Sequence, residues 1–408
     1  MTSRERVLRS IEFKSVDRLA KDLGGMASTG ISAFAYPRLV EKLGLAYRRP
    51  KVHDVGQMLA MPDMDVLDAL GCDVVTVFHG VTNAFEQDEK WHDYDFGGRL
   101  KAKIRDASMF EVLSDGTIEC KTQKSKMPPA STVFDTEHGG QSVCLSGDIP
   151  KPDLDQLREQ LNKSFPSESQ IEETASLCRM VRQSTDKAVF FNGPIYSGLG
   201  ICSFGGMGIF PMLCMLEPEF VKELHGIIAD NATTIIHKML PAIKNDIDIL
   251  LFGSDDWGTQ NSLIAPPEVY RELFLPFLKR MNSEIKSIAP DLKIFLHSCG
   301  NIIDILPMII EAGFDVLNPV QWSTTGQGSY VKWKEKTHGR IALWGGGVNS
   351  QHTLPLGTVD DIERQVRETV KCFSDGSGYI FANTHNILSE IEPEKITAMY
   401  KTAEEIKI

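Results

Sequence analysis

The side chains with the most obvious chemical potential are His297 and Cys299, in the run Phe295-Leu296-His297-Ser298-Cys299-Gly300. The residues leading to them, Lys293–His297, read as a buried strand, and alternation along an extended chain brings positions i and i+2 to the same side. An imidazole and a thiolate placed in this way suit Zn2+, which takes four N, S or O ligands in a tetrahedron. Two ligands do not make a site, so a third has to come from another strand end. His385, in Asn383-Thr384-His385-Asn386, is the first choice, and Asp255 or Asp256 the second. The spacing is equally compatible with a local hydrogen bond from His297 and packing of Cys299 as a small apolar group.

Asp255 and Asp256 also have two readings. Adjacent carboxylates at a strand end can serve as a base, a metal ligand or a substrate anchor, and one can raise the pKa of the other. They can also be a helix cap with a solvated neighbour. The following Trp257-Gly258-Thr259-Gln260 is a loop in position to cover a pocket. Asp22, Asn192 and Gln321 stand at or just past the carboxyl ends of other strand candidates and are read as substrate-binding. His225 and His237 fall within a helical pattern and read as structural or solvated, while Cys72, Cys178 and Cys214 lie among apolar neighbours and read as core. The run Gly345-Gly346-Gly347 fits a phosphate cradle or the close approach of another loop. There is no G-x-G-x-x-G, no P-loop lysine and no G-x-S-x-G elbow.

These groups need elements to hold them. Short apolar runs recur at Leu19–Leu23, Asp73–Phe78, Ala188–Asn192, Ile247–Phe252, Lys293–His297, Val316–Val320, Ile341–Trp344 and Tyr379–Ala382, with helical patterns between them. Buried-type strands alternating with helices mean a parallel sheet, and eight is the number that closes into a (β/α)8 barrel, an α/β fold. Thr2-Ser3-Arg4-Glu5 is a capping box that opens an amphipathic N-terminal helix. Pro266 and Pro267 open another helix, with a kink expected at Pro276, and Thr358-Val359-Asp360-Asp361 caps a third. Residues 81–152 break the alternation with polar, glycine-rich sequence and strand-like pieces at Arg99–Ile104, Phe110–Leu113 and Thr117–Lys121. They read as a β-rich excursion over one barrel face, followed by a charged helix-loop around Lys151–Gln170. Residues 1–408 are therefore read as one decorated barrel domain. In a barrel the strand carboxyl ends carry the chemistry, and that is where the polar residues named above fall.

Composition narrows the class. The 408 residues carry a net charge of −12 without a Lys/Arg run, which makes nucleic acid and anionic membrane unsuitable partners. No apolar run approaches the roughly 18 residues of a membrane span. The N-terminus shows no apolar signal region, and the eight cysteines include no C-x-x-C pair, so a reducing, cytoplasmic setting is expected.

Several stretches resemble the uroporphyrinogen decarboxylase superfamily: FLHSCGNIIDILPMIIEAGFDVLNPVQ, GGGVNSQHTLPLGTVDDIERQV and YIFANTHNILSEIEPEKI, together with TSRERVLRSIEFKSVDRLAKDLGG and GSDDWGTQNSLIAPPEVYRELFLPFLKRM. The resemblance implies the (β/α)8 barrel. True decarboxylases open with an arginine-rich motif similar to P-x-W-x-M-R-Q-A-G-R-Y that grips substrate carboxylates; here the region reads Asp22-Leu23-Gly24-Gly25-Met26-Ala27-Ser28. The H-x-C-G element is instead similar to corrinoid-dependent methyltransferases, in which His and Cys bind zinc and a later Cys completes the set. Where that Cys stands in A-P-G-C-G-I, this chain has Ala382-Asn383-Thr384-His385-Asn386-Ile387.

The resemblance implies zinc held by His297, Cys299 and His385, with Asp255 or Asp256 orienting the substrate or adding a ligand. It further implies a small methylated substrate and a corrinoid (cobalamin) supplied by a partner corrinoid protein, since no D-x-H-x-x-G motif is present. One thiolate rather than two leaves the metal more electrophilic, which suits activation of a leaving group such as the oxygen of an aryl methyl ether. The alternatives are a methylcorrinoid:thiol methyltransferase, a metal-free decarboxylase using Asp22 or Asp255, and a non-enzymatic corrinoid or tetrapyrrole carrier. A homodimer is compatible with all of them.

Overall fold

The computed structural model describes residues 1–135, 149, 151–326 and 328–408. Eight parallel strands curl into an α/β barrel: β1 (Ala20–Lys21), β2 (Val74–Phe78), β3 (Ala188–Asn192), β4 (Ile249–Ser254), β5 (Lys293–His297), β6 (Val316–Asn318), β7 (Ala342–Trp344) and β8 (Tyr379–Phe381). They neighbour one another in chain order, with β1 paired to β8. All eight expected strands are present, most shortened by one to three residues and the fourth shifted two residues toward the carboxyl end. The β1–β2 seam is thin, joined at its base by the Asp73 N–H donating to the Lys21 carbonyl at 2.8 Å. Nearer the mouth, Val81–Thr82 pairs antiparallel to β2.

Alternation decides what the barrel encloses. Ala20, Val74, Phe190, Phe295, Val316 and Trp344 point inward and form a dry layer. The next inward positions toward the carboxyl ends are Asp22, Thr76, Asn192, His297 and Asn318, so a buried polar layer sits directly above the apolar one. The N-terminal helix, Ser3–Ile11, has the expected capping box at Thr2 and adds Val7 and Ile11 to the same dry cluster. Below the sheet, fully buried Asp73 accepts from Arg6 at 2.7 Å and Arg18 at 2.8 Å, which compensates its burial.

The excursion is β-rich as expected, with the hairpin His92–Asp95/Lys101–Ile104 and a three-stranded meander Phe110–Val112, Ile118–Cys120 and Ser125–Met127. Residues 136–148 and 150 of it, including Cys144, lie outside the described residues. The charged segment after it forms the helix Leu154–Lys163. At Pro276, which can neither donate nor tolerate the preceding carbonyl, the expected kink takes the form of a π turn, Tyr270–Phe274, ahead of the helix Leu275–Ile288. A second small sheet, Ile31–Ser32, Val52–Asp54 and Leu59–Ala60, was not foreseen from the sequence. Among the described residues, no helix is long and apolar enough to cross a membrane.

Candidate metal centre

His297 ends β5 with its side chain inward, and Cys299 follows two residues on as the chain leaves the sheet. Cys299 Sγ is 3.4 Å from His297 Nε2. His385 arrives from the loop after β8, with its ring centroid 6.1 Å from that of His297. One ligand atom from each of His297, Cys299 and His385 lies within 4.8 Å of the others.

The loops after β4 and β5 are zipped together to hold Cys299. The Gly258 N–H donates to the Cys299 carbonyl at 3.1 Å, and the Asn301 N–H to Thr259 at 2.9 Å. Gly300 has φ +86°, and a Cβ there would stand 2.1 Å from the Gly258 carbonyl, so the position admits only glycine. Gln321 Oε1 accepts from the Gly300 N–H at 2.8 Å, so this side chain braces the cysteine loop. Asp256 Oδ1 accepts from the Cys299 N–H at 3.0 Å and stands 3.4 Å from His297 Nε2, close enough to supply a further ligand.

Two asparagines set the chemistry of the imidazoles. Asn318 gives its NH2 to the Trp344 carbonyl at 2.9 Å, so its Oδ1 faces Ser28 Oγ at 2.5 Å and His297 Nδ1 at 2.6 Å. His297 therefore donates through Nδ1, and Nε2 is the nitrogen left for a cation. His385 Nδ1 is hydrogen-bonded to Asn386 Oδ1 in the same sense. A neutral imidazole with its far nitrogen tied to an oxygen acceptor is the usual state of a metal-binding histidine. Neither asparagine was singled out from the sequence. The available signal for Asn318 was its shared parity with inward Val316.

The charges of His297, Cys299 and Asp256 act on one another. Burial opposes ionisation of His297, but Cys299 and Asp256 outweigh it and raise the imidazole. Burial likewise opposes the Cys299 thiolate, and His297 together with His385 holds that thiol below its ordinary value. Burial also works against Asp256, yet its contacts with His297 and Cys299 keep it well below the carboxylate range. Asp255 differs from its neighbour. Burial raises it to about 7, and its Oδ2 accepts from the Ile201 N–H at 2.7 Å, tying down the loop after β3.

The remaining candidates sit in the polar layer. Asp22 is fully buried, accepts from the Gly25 N–H and from Trp344 Nε1, each at 2.9 Å, and is raised to about 6 by burial. Asn192 donates to the Gly25 carbonyl and to Thr76 Oγ1, each at 2.9 Å, and its buried Oδ1 has no partner. His225 is buried against the Leu273 carbonyl at 2.7 Å, and His237 pairs with Glu284 on the surface. Cys72, Cys178 and Cys214 are core. The glycine run is explained by close approach: a Cβ at Gly345 would meet the Pro319 carbonyl at 2.6 Å, and one at Gly347 the Phe381 ring at 2.5 Å.

The uroporphyrinogen decarboxylase (URO-D) family model matches residues 149–406. The chain belongs to this family. Its curated relatives include uroporphyrinogen decarboxylases from Chlorobium limicola, 25% identical over 194 residues (46% of this chain, 50% of the relative), and from Legionella pneumophila strain Corby, 24% identical over 232 residues (56% and 62%). The chain thus spans only half to three-fifths of the length of these URO-D relatives. Among solved structures, a methyltransferase from Methanosarcina mazei superposes with a TM-score of 0.55 at 16% identity, covering 99% of each chain, and shares the fold.

Proposed function

We propose that this URO-D family protein is a zinc-dependent methyltransferase that moves a methyl group from a small methylated substrate, best an aryl methyl ether, to the Co(I) corrinoid of a partner protein. The observation that carries the reading is the donor set. Two imidazoles with Nδ1 committed to asparagine oxygens and one thiol held below its ordinary value converge at the barrel mouth, and all three suit zinc. Zinc held by His297, Cys299 and His385 would supply a Lewis acid for the leaving oxygen. The corrinoid would supply the Co(I) nucleophile.

The chain's own groups do the rest. Asn318 keeps His297 oriented, while Gly300 and Gln321 fix the cysteine loop. Asp256, half exposed beside His297 Nε2, serves as a further ligand or orients the substrate. Asn192 offers an unpaired oxygen from the barrel wall for a substrate donor. The excursion and the loop after Asp256 are the proposed contacts for the corrinoid protein. Metal-free decarboxylation through Asp22 is less well supported, because both of its oxygens are committed to Gly25 and Trp344.

The test is metal content followed by turnover. The purified chain should hold about one zinc. His297→Ala, Cys299→Ser and His385→Ala should each lose most of it, and incubation with a Co(I) corrinoid protein and a panel of methyl ethers, methylamines and methyl thiols should methylate the corrinoid. Full zinc retention in all three variants, or no methyl transfer from any donor, would overturn the proposal.

A further inference from the structure

The small sheet outside the barrel reaches the candidate metal centre through one side chain. Met58, at φ +50°, closes the turn between Val52–Asp54 and Leu59–Ala60 and puts Gln57 at its tip. The Gln57 backbone N–H donates to Asp54 Oδ1 at 2.9 Å, which holds the turn from which that side chain extends. Gln57 Oε1 accepts from Asn386 Nδ2 at 3.1 Å, and Asn386 Oδ1 in turn faces His385 Nδ1. The backbone holds these partners in register. The Ser32 N–H donates to the Ile387 carbonyl at 2.8 Å, the Ile387 N–H to Gly30 at 2.9 Å, and the Ala33 N–H to Met58 at 2.7 Å.

A primary amide has one accepting and one donating end. If Gln57 takes the NH2 of Asn386, only oxygen is left for His385, whose Nδ1 must then carry the proton and whose Nε2 keeps its lone pair. If Gln57 presented a donor instead, Asn386 would turn over and face His385 with NH2. His385 would then hold its proton on Nε2, the nitrogen that the cation needs. We infer that Gln57 is a positioning residue that sets the tautomer of His385 through Asn386, and thereby the ability of His385 to bind a metal. The inference rests on the zinc reading proposed above for the use of the site. Its direct readout, the tautomer, is present in the metal-free chain.

The polarity of residue 57 is the experimental handle. Gln57→Glu can only accept and should preserve the arrangement; Gln57→Lys can only donate and should reverse it; Gln57→Leu should release it. The side chain is only half buried, so thermal melts serve to confirm that each variant is folded. The 15N shifts of His385 in the metal-free protein, at a pH where the ring is neutral, report the tautomer directly. Wild type and Gln57→Glu should show Nδ1–H, Gln57→Lys should show Nε2–H, and Gln57→Leu a mixture. Competitive zinc titration should show affinity lowered about tenfold in Gln57→Leu and more in Gln57→Lys, with Gln57→Glu at or above wild type. A charge effect alone would move affinity and leave the tautomer unchanged, so unaltered 15N shifts in Gln57→Lys and Gln57→Leu would overturn the inference. Failure of every variant and of wild type to bind zinc would instead remove the zinc proposal, while the shifts would still decide the tautomer relay.

Discussion

Asn318 Oδ1 lies 2.6 Å from His297 Nδ1, and the other end of the same amide is spent on the Trp344 carbonyl at 2.9 Å. One buried side chain therefore links three consecutive strands, β5, β6 and β7, and fixes which face of His297 is available to the mouth. The arrangement separates support from ligation: removing Asn318 leaves every proposed ligand in place but frees its orientation.

The first prediction concerns that separation. Asn318→Leu should lower zinc affinity by about 10–100-fold, the usual cost of losing an orienting partner. Asn318→Asp keeps an acceptor for His297 and should retain zinc more nearly at the wild-type level, while losing stability because a carboxylate oxygen then faces the Trp344 carbonyl. Titration against a chromophoric chelator, alongside urea unfolding, measures both effects. Equal zinc affinity in wild type and Asn318→Leu would contradict the orienting role.

A second prediction concerns Gly300. Any side chain there meets the Gly258 carbonyl and adopts a disfavoured positive φ, so Gly300→Ala should cost on the order of 3 kcal/mol and separate the loops after β4 and β5. Since those loops also hold Asp256 against the Cys299 N–H, zinc affinity should fall together with stability. An alanine variant with wild-type unfolding and zinc binding would show that the loops are less tightly constrained than this contact implies.

Which parts of this were legible in the sequence follows from what each part depends on. The eight barrel strands announce themselves because each is buried on both faces and carries its own apolar run, as in Ala188–Asn192 and Lys293–His297. Ile31–Ser32 and Leu59–Ala60 do not, because these short pairings lie outside the alternation of apolar runs and helices that marks even the equally short Ala20–Lys21 of β1. Gly345-Gly346-Gly347 admitted two readings until Pro319 and Phe381 were seen packed against it. His297 and Cys299 stood out by spacing. The roles of Asn318, Asn386 and Gln57 are invisible in one dimension, since an asparagine after a strand serves equally as a turn, a cap or a clamp. Only the tertiary donor or acceptor opposite it decides.

A third prediction uses the pH dependence of Asp22. Burial raises this carboxyl from 3.8 to about 6 in the folded chain. A raised carboxyl pKa means that the folded state binds the proton more tightly than the unfolded state. Its contribution to stability is therefore full below about pH 4 and is lost as pH rises through about 6. Asp22→Asn removes the titration. The stability gap between wild type and variant should shrink by about 1 kcal/mol from about pH 5 to about pH 7. At either pH the variant should be the less stable protein, because one of the two donors, the Gly25 N–H or Trp344 Nε1, loses its acceptor. Urea unfolding at both pH values checks the sign, and a gap that stays constant from pH 5 to pH 7 would show that Asp22 is ionised throughout.

The last prediction is the direction of methyl transfer. With His385 in the place where a second thiolate would add a negative charge, the donor set His297, Cys299 and His385 would leave a zinc ion held there more electrophilic. An aryl ether oxygen is a poor leaving group until its developing charge is taken up, and that stabilisation acts mainly in the transition state. The protein should therefore demethylate an aryl methyl ether with a Co(I) corrinoid protein and release the phenol. His385→Cys should keep zinc, because sulfur is an equally competent donor, yet lower that rate by about tenfold, or ~1.4 kcal/mol in barrier, as the added thiolate damps the metal. The same substitution should leave methylation of a free thiol unchanged or improve it, because a bound thiol needs only to be deprotonated. Efficient thiol methylation by the wild-type chain, with no turnover of any ether and no loss of rate in His385→Cys, would reverse the assignment. The electrophilicity argument from this single ligand would then be wrong.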